Sequence, residues 1–157
     1  PAVTKVIAPA ALYWFRWGAM LTLITGLLLA WNQGYLLQAL ALGLLDGVPK
    51  HILIGLGMWM AIIMWFNVWF IIWPAQKKLI TWTKNGEAPA EAPALTKRAF
   101  MASRLNTYLS MPMLFCMGAA SHFPSFNLPT VAIAFAIGMG LVWLFCNKIG
   151  PKAGSNF

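Results

Sequence analysis

Long apolar runs alternate with short polar connections along this chain. Four of the runs approach or exceed the roughly 20 residues that a helix needs to cross the hydrocarbon core of a bilayer. A fifth apolar stretch, Tyr35 to Leu45, has only about half that length and predicts a re-entrant or interfacial segment. The four long runs predict transmembrane helices at about 12–31, 51–73, 100–121 and 131–146.

Proline and polar residues indicate where these helices end. Span two is predicted to end before Pro74, because proline removes a backbone hydrogen bond inside a helix. Thr81 to Lys97 includes the string NGEAPAEAPA and predicts a surface loop. We therefore predict an all-α membrane protein, a single helical-bundle domain over residues 1–157 with four transmembrane helices.

Composition supports a membrane protein. Of 157 residues, 61% are hydrophobic and only 9% are charged, whereas a soluble domain carries about 25% charged residues. The same apolar and aromatic content excludes a disordered chain. The length allows four or five crossings with short connections, and the placement of the charges distinguishes the two.

The net charge of +8 is explained by topology. If the chain crosses four times, every basic residue except Lys50 falls on one side of the membrane, and that side is the cytoplasm by the positive-inside rule. Both termini are then cytoplasmic, and the charge gives no reason to predict a nucleic-acid partner. The basic residues on that side are Lys5, Arg16, Lys77, Lys78, Lys84, Lys97, Arg98, Arg104, Lys148 and Lys152.

The two histidines are predicted to lie at the same face of the bundle. His51 opens span two and His122 closes span three, so an antiparallel pair of helices brings the imidazoles to similar depth. Two such imidazoles can bind haem iron from both sides, and we predict haem b near the outer face as one hypothesis. The alternative is two interfacial histidines without a ligand. The small residues expected to leave room for a macrocycle are Gly55, Gly57, Gly118, Ala119 and Ala120.

Two asparagines are also predicted to lie at the same depth in the membrane, one on span two and one on span three. Asn67 follows His51 by sixteen residues and Asn106 precedes His122 by sixteen, about 24 Å along each helix. An interhelical hydrogen bond between them would contribute about 0.6–2 kcal/mol. We interpret this pair as a stabilising contact between helices.

The remaining polar residues carry weaker signals. No Asp or Glu lies in a predicted span, which argues against a pump or transporter built on buried carboxylates. Arg16 and Arg104 lie near the cytoplasmic ends and are expected to extend to lipid phosphates. Cys116 and Cys146 are interpreted as packing residues, and a copper site of methionines near His122 is a minor alternative.

Several strings resemble one bacterial family, the "urate oxidase N-terminal" membrane domain found in cytochrome-linked urate hydroxylases. The resemblance runs from about residue 5 to 150 and concerns the C-terminal part of that domain. His51 and His122 fall where the family also has histidines. The strings that carry it are Trp14-Phe15-Arg16-Trp17, Asn67-Val68-Trp69-Phe70-Ile71-Ile72-Trp73-Pro74-Ala75-Gln76-Lys77-Lys78, Ser103-Arg104-Leu105-Asn106-Thr107-Tyr108-Leu109-Ser110-Met111-Pro112-Met113-Leu114-Phe115 and Ser121-His122-Phe123-Pro124.

The resemblance implies an electron-transfer protein of the bacterial inner membrane. Family members have further helices upstream, and some have a C-terminal cytochrome c domain. Pro1 in place of Met is consistent with a missing upstream part or a removed initiator. This chain has Gly18 and Ala75 where the family has glutamate and asparagine.

Four functions stay open on these residues. One is a redox subunit with haem b and a periplasmic cytochrome c as partner. Another is a non-catalytic accessory subunit of a respiratory, photosynthetic or monooxygenase-like complex, packed among other membrane subunits. A third is urate or purine oxidation, and a small transporter is the remaining alternative.

Overall fold

Every element of the chain is a helix in the computed structural model, which describes residues 7–122 and 127–151. Within those ranges there is no strand. The stretches Asn67–Ile72 and Phe145–Ile149 are π-helical, with wider turns than an α-helix. The elements are α1 (Ala8–Asn32), α2 (Leu36–Leu40), α3 (Pro49–Phe66), a first π-helical stretch (Asn67–Ile72), α4 (Trp73–Asn85), α5 (Ala92–His122), α6 (Leu128–Leu144) and a second π-helical stretch (Phe145–Ile149).

Three helical runs of the described chain are long and apolar enough to cross a membrane: Ala8–Asn32, Pro49–Asn85 and Leu128–Ile149. They contain the predicted spans one, two and four. The predicted span 100–121 lies inside α5, which is not one of the three, because polar residues such as Asn106 and Ser110 interrupt its apolar stretch. Four crossings with both termini in the cytoplasm stay a prediction, and Lys5 and Lys152 lie outside the described residues.

The predicted helix end at Pro74 is wrong. The helical run continues from α3 through the first π-helical stretch into α4 and ends at Asn85. Pro74 lies at the start of α4, directly after the π-helical turns. Proline interrupts the regular i→i−4 hydrogen bonds of an α-helix, and here the wider π-helical turns directly before it replace that regular pattern.

The predicted loop over Thr81 to Lys97 is much shorter in the structure. Only residues 86–91 connect α4 to α5. Gly86 ends α4 with a φ of 75°, a left-handed conformation that glycine adopts without steric cost. The polar residues on either side are exposed but lie in helices, because exposed polar residues are compatible with a helix. Polarity alone therefore overestimates the length of the loop.

The chain divides into two units. The first consists of Pro1–Asn32 and Ile62–Asn106, and the second of Gln33–Ala61 and Thr107–Phe157. In the first unit, Val68, Ile72 and Ala102 form a buried cluster against which Ala19 and Trp69 pack. In the second unit, the buried cluster is Leu53, Ala119, Ala120 and Val131.

The short apolar stretch that the sequence predicts at 35–45 is α2 with a turn, and it packs against α3 within the second unit. Ala39 of α2 is fully buried. Its backbone occupies the space over Gly55, where a Cβ would collide with the Ala39 carbonyl oxygen. The Trp59 indole N–H donates a hydrogen bond to the Leu40 carbonyl oxygen at 3.0 Å. The absence of a side chain at Gly55 therefore allows this close approach.

Replacing Gly55 with alanine tests this contact. We expect Gly55→Ala to lower the free energy of unfolding by about 1–3 kcal/mol, because the added methyl group meets backbone that cannot rotate away. Gly140→Ala is the matched control in α6, since a Cβ there has no atom within 4 Å. It should leave stability unchanged or slightly increased. Thermal unfolding followed by circular dichroism in mild detergent measures both, and equal melting midpoints would contradict the contact.

Candidate functional site

His51 is held in place by an aspartate and a tyrosine. Its Nδ1 lies 2.5 Å from the Asp46 carboxylate, which can only accept, so Nδ1–H donates and Nε2 takes no part in this contact. The Tyr35 ring stacks on the imidazole with 5.8 Å between centroids and 23° between planes. Asp46 also accepts a hydrogen bond from the Val48 N–H. The sequence analysis did not identify Asp46 or Tyr35 as part of the site.

The pKa of Asp46 reflects these contacts. Burial opposes its ionisation, but the hydrogen bonds from Val48 and His51 and the electrostatic attraction to His51 together outweigh burial, and they hold the pKa of this carboxyl below its ordinary value. Asp46 is therefore an anion beside the imidazole at neutral pH. An anionic carboxylate behind a histidine raises the basicity of the opposite ring nitrogen.

His122 has a similar arrangement at the end of α5. Its Nδ1 lies 3.1 Å from the carbonyl oxygen of Gly118, one turn earlier in the helix. A carbonyl oxygen only accepts, so the proton is again on Nδ1 and Nε2 is available. The residue is exposed. Phe123 and Pro124, which follow it in the family string, lie outside the described residues.

The two histidines lie at the same end of a helix pair within the second unit. Leu53 of α3 packs with Ala119 and Ala120 of α5 in one buried cluster. His51 precedes Leu53 by two residues, and His122 follows Ala120 by two. The packing thus brings together the ends of α3 and α5 that carry the imidazoles.

The small residues near the histidines do not leave the space that the sequence suggests. Gly55 is covered by the Ala39 backbone, and a Cβ on Gly57 would lie 3.2 Å from the Met117 side chain. Ala119 and Ala120 are buried in the cluster with Leu53. Glycine and alanine at these positions serve close helix packing. Gly118 alone among the glycines here faces open space.

The asparagines form a buried interhelical pair in the first unit. Asn67 Nδ2 donates to Asn106 Oδ1 at 2.8 Å, and Asn106 Nδ2 donates to the Met64 carbonyl oxygen at 3.0 Å. Asn67 is 5% exposed and Asn106 is 9% exposed. Asn67 begins the first π-helical stretch. The structure therefore joins the two asparagines that the sequence places at equal depth.

Arg16 lies in a cluster of aromatic rings, also in the first unit. Its guanidinium carbon is 4.0 Å from the centroid of Trp73 and 4.8 Å from that of Trp69. Its Nε is buried and has no hydrogen-bond partner among the described residues. Ring faces attract a cation at this distance, so the aromatic rings of the chain stabilise this charge. The spacing of Trp69 and Trp73, one helical turn, was the available signal in the sequence.

The described residues contain no group of three or more His, Cys, Asp or Glu that could hold a metal ion. Cys116 is buried and Cys146 is half-buried, and both are free thiols. A site built on two imidazoles is a separate possibility, since haem iron needs only axial ligands from the protein.

The helical architecture and its apolar surface define an integral membrane protein. The sequence model described as "Urate oxidase N-terminal" matches residues 48–147, close to two thirds of the chain. The chain belongs to the urate oxidase N-terminal family, as the strings in the sequence indicate. The match includes His51, Asn67, Asn106 and His122. Comparison with curated proteins and with solved structures finds no match.

A double-mutant cycle tests the asparagine pair. We expect Asn67→Ala and Asn106→Ala each to destabilise the chain, and the double variant to cost less than the sum by about 0.6–2 kcal/mol, because either single change already removes the amide contact. The free energy of unfolding in mild detergent measures this coupling. Additive effects of the two changes would contradict a direct hydrogen bond.

Proposed function

We propose that the chain is a membrane subunit of an electron-transfer system and that His51 and His122 bind haem b. The observation that carries this proposal is that both imidazoles are held by a hydrogen bond at the same ring nitrogen. Each has Nδ1 engaged, by Asp46 and by the Gly118 carbonyl respectively, and each keeps Nε2 available. Histidines that ligate metals commonly have their other nitrogen engaged in this way.

Imidazole nitrogens are donors that haem iron takes, so His51 and His122 would hold the haem, which would supply one-electron transfer when bound. The contribution of the chain is to fix the ligands. Asp46 fixes the tautomer and the orientation of His51, and the stacked Tyr35 ring limits rotation of the His51 imidazole. The Gly118 carbonyl oxygen fixes the orientation of His122. The tight contacts at Gly55 and Gly57 exclude a macrocycle from that level of the helix pair. Binding would therefore involve only the ends of α3 and α5.

The proposal includes a location and partners. Four crossings of the bacterial inner membrane, with the basic residues in the cytoplasm, would leave His51 and His122 near the periplasmic face. A periplasmic cytochrome c is then the natural electron partner, because it could approach that face without entering the bilayer. Other membrane subunits are expected around the exposed helices.

A non-catalytic accessory subunit of a larger membrane complex is the second candidate. It is favoured by α1, whose apolar window has none of its residues buried by the rest of the chain. Trp14 and Trp31 of this helix are each 72% exposed. Lipid or neighbouring subunits would cover this surface. On this hypothesis the chain co-purifies with larger subunits and tolerates substitution of both histidines.

A reduced-minus-oxidised visible spectrum of the purified chain, with pyridine haemochrome quantification, tests the first candidate. We expect about one haem b per chain and its loss in both His51→Ala and His122→Ala, since each change removes a proposed ligand. Asp46→Asn should weaken haem affinity by about 10- to 100-fold, as expected for loss of a carboxylate behind a ligating histidine.

Ser121→Ala is the matched control, because it changes the neighbour of His122 and leaves both imidazoles in place. It should bind haem like the unmodified chain. A folded chain without haem, extracted with its neighbours in mild detergent, would contradict the redox function and leave the accessory subunit as the better account.

A further inference from the structure

The first unit contains a groove whose two ends differ in chemistry. The groove has a volume of about 600 Å³, within the range of about 300–1,000 Å³ typical of ligand sites. One wall is formed by α5, and the other by the first π-helical stretch. Its lining residues are Asn67, Ile71, Ala94, Lys97, Arg98, Met101, Ala102 and Leu105.

The α5 wall is one continuous helix face. Its lining positions are spaced by three and four residues, which places them on one side of the helix over roughly 16 Å. The face changes character along its length. After Ala94, Lys97 and Arg98 are exposed cations in its first half, and Met101 and Leu105 are exposed apolar side chains further on.

The π-helical wall closes the apolar end of the groove. Ala102 packs in one buried cluster with Val68 and Ile72, which fixes the register of the two walls. Asn67 hydrogen-bonds to Asn106, the residue after Leu105, so this amide pair lies at the end away from the cations. The groove thus runs from a cationic mouth along an apolar trough to a buried amide pair.

The charge of this unit selects an anionic occupant. Within the described part of the first unit there are seven Lys and Arg residues, against Glu87 and Glu91. Two adjacent cations beside an apolar trough match the phosphate and the acyl chain of a phospholipid. Basic residues next to a membrane-embedded helix favour anionic lipid headgroups over zwitterionic ones.

We propose that this groove binds an anionic phospholipid. Lys97 and Arg98 donate hydrogen bonds to the phosphate oxygens, and an acyl chain lies along Ile71, Met101 and Leu105. This site shares no residue with the proposed haem site at His51 and His122, and its occupancy does not depend on haem binding. A neutral quinone would use the apolar trough but would leave the two cations unused.

Lipid retention tests the proposal. The full chain is reconstituted in nanodiscs of equal phosphatidylglycerol and phosphatidylcholine, extracted in mild detergent and analysed by native mass spectrometry for bound lipid. We expect retained phosphatidylglycerol to exceed phosphatidylcholine. The double variant Lys97→Gln/Arg98→Gln should reduce this preference about 10-fold or more, because both headgroup contacts are lost.

The control is Lys77→Gln/Lys78→Gln, which removes two adjacent exposed cations from α4 of the same unit, outside the groove. It should change the preference for phosphatidylglycerol by less than about twofold, because these charges contribute only to the overall electrostatic field of the protein and do not contact the bound lipid. An equal loss in both double variants, or no loss in either, would overturn the proposal. So would equal retention of phosphatidylglycerol and phosphatidylcholine by the unmodified chain.

Met101→Trp provides a test that keeps every charge. The larger side chain fills the trough, and we expect it to reduce the number of retained lipids per chain at least about threefold, as loss of the acyl-chain contact predicts. Undiminished retention in this variant would overturn the assignment of the groove. Circular dichroism confirms that each variant keeps the helix content of the unmodified chain.

Discussion

Close contact between α3 and α5 at Gly57 is the constraint on which the arrangement of the second unit depends. Gly57 has no side chain to separate the helices, and Met117 fills the space in front of it. Polarizable, unbranched methionine fits such irregular gaps well. From this contact, the buried cluster of Leu53, Ala119 and Ala120 extends toward the ends of the helices that carry His51 and His122.

Small residues in this protein have a packing function that also positions polar groups. Gly55 admits the backbone of α2, and the chain segment that follows α2 carries Asp46 to His51. A bilayer offers little hydrophobic driving force between helices, so van der Waals contact through small residues and interhelical hydrogen bonds supplies the stability. The Asn67–Asn106 pair provides the second of these in the first unit.

The helices and the family could be predicted from the sequence, because long apolar runs and ordered strings carry that information directly. The continuation of the helix through Pro74 could not be predicted, because it depends on the π-helical turns before the proline. Local sequence patterns do not indicate such turns. The pairing of Asn67 with Asn106 followed from equal depth along two helices. Asp46 was missed because its contact with His51 depends on the conformation of the turn before α3. The aromatic cluster around Arg16 was missed because it joins residues from different helices.

Cysteine cross-linking tests the contact between α3 and α5 most directly. With Cys116 and Cys146 replaced by alanine, Gly57→Cys/Met117→Cys should form a disulfide under mild oxidation in native membranes, because the two side chains would be in contact. Gly57→Cys/Gly118→Cys is the matched control, since a Cβ at Gly118 has no atom within 4 Å. Cross-linking of the first pair alone is the predicted result. Equal cross-linking of both pairs, or none at residues 57 and 117, would contradict the account.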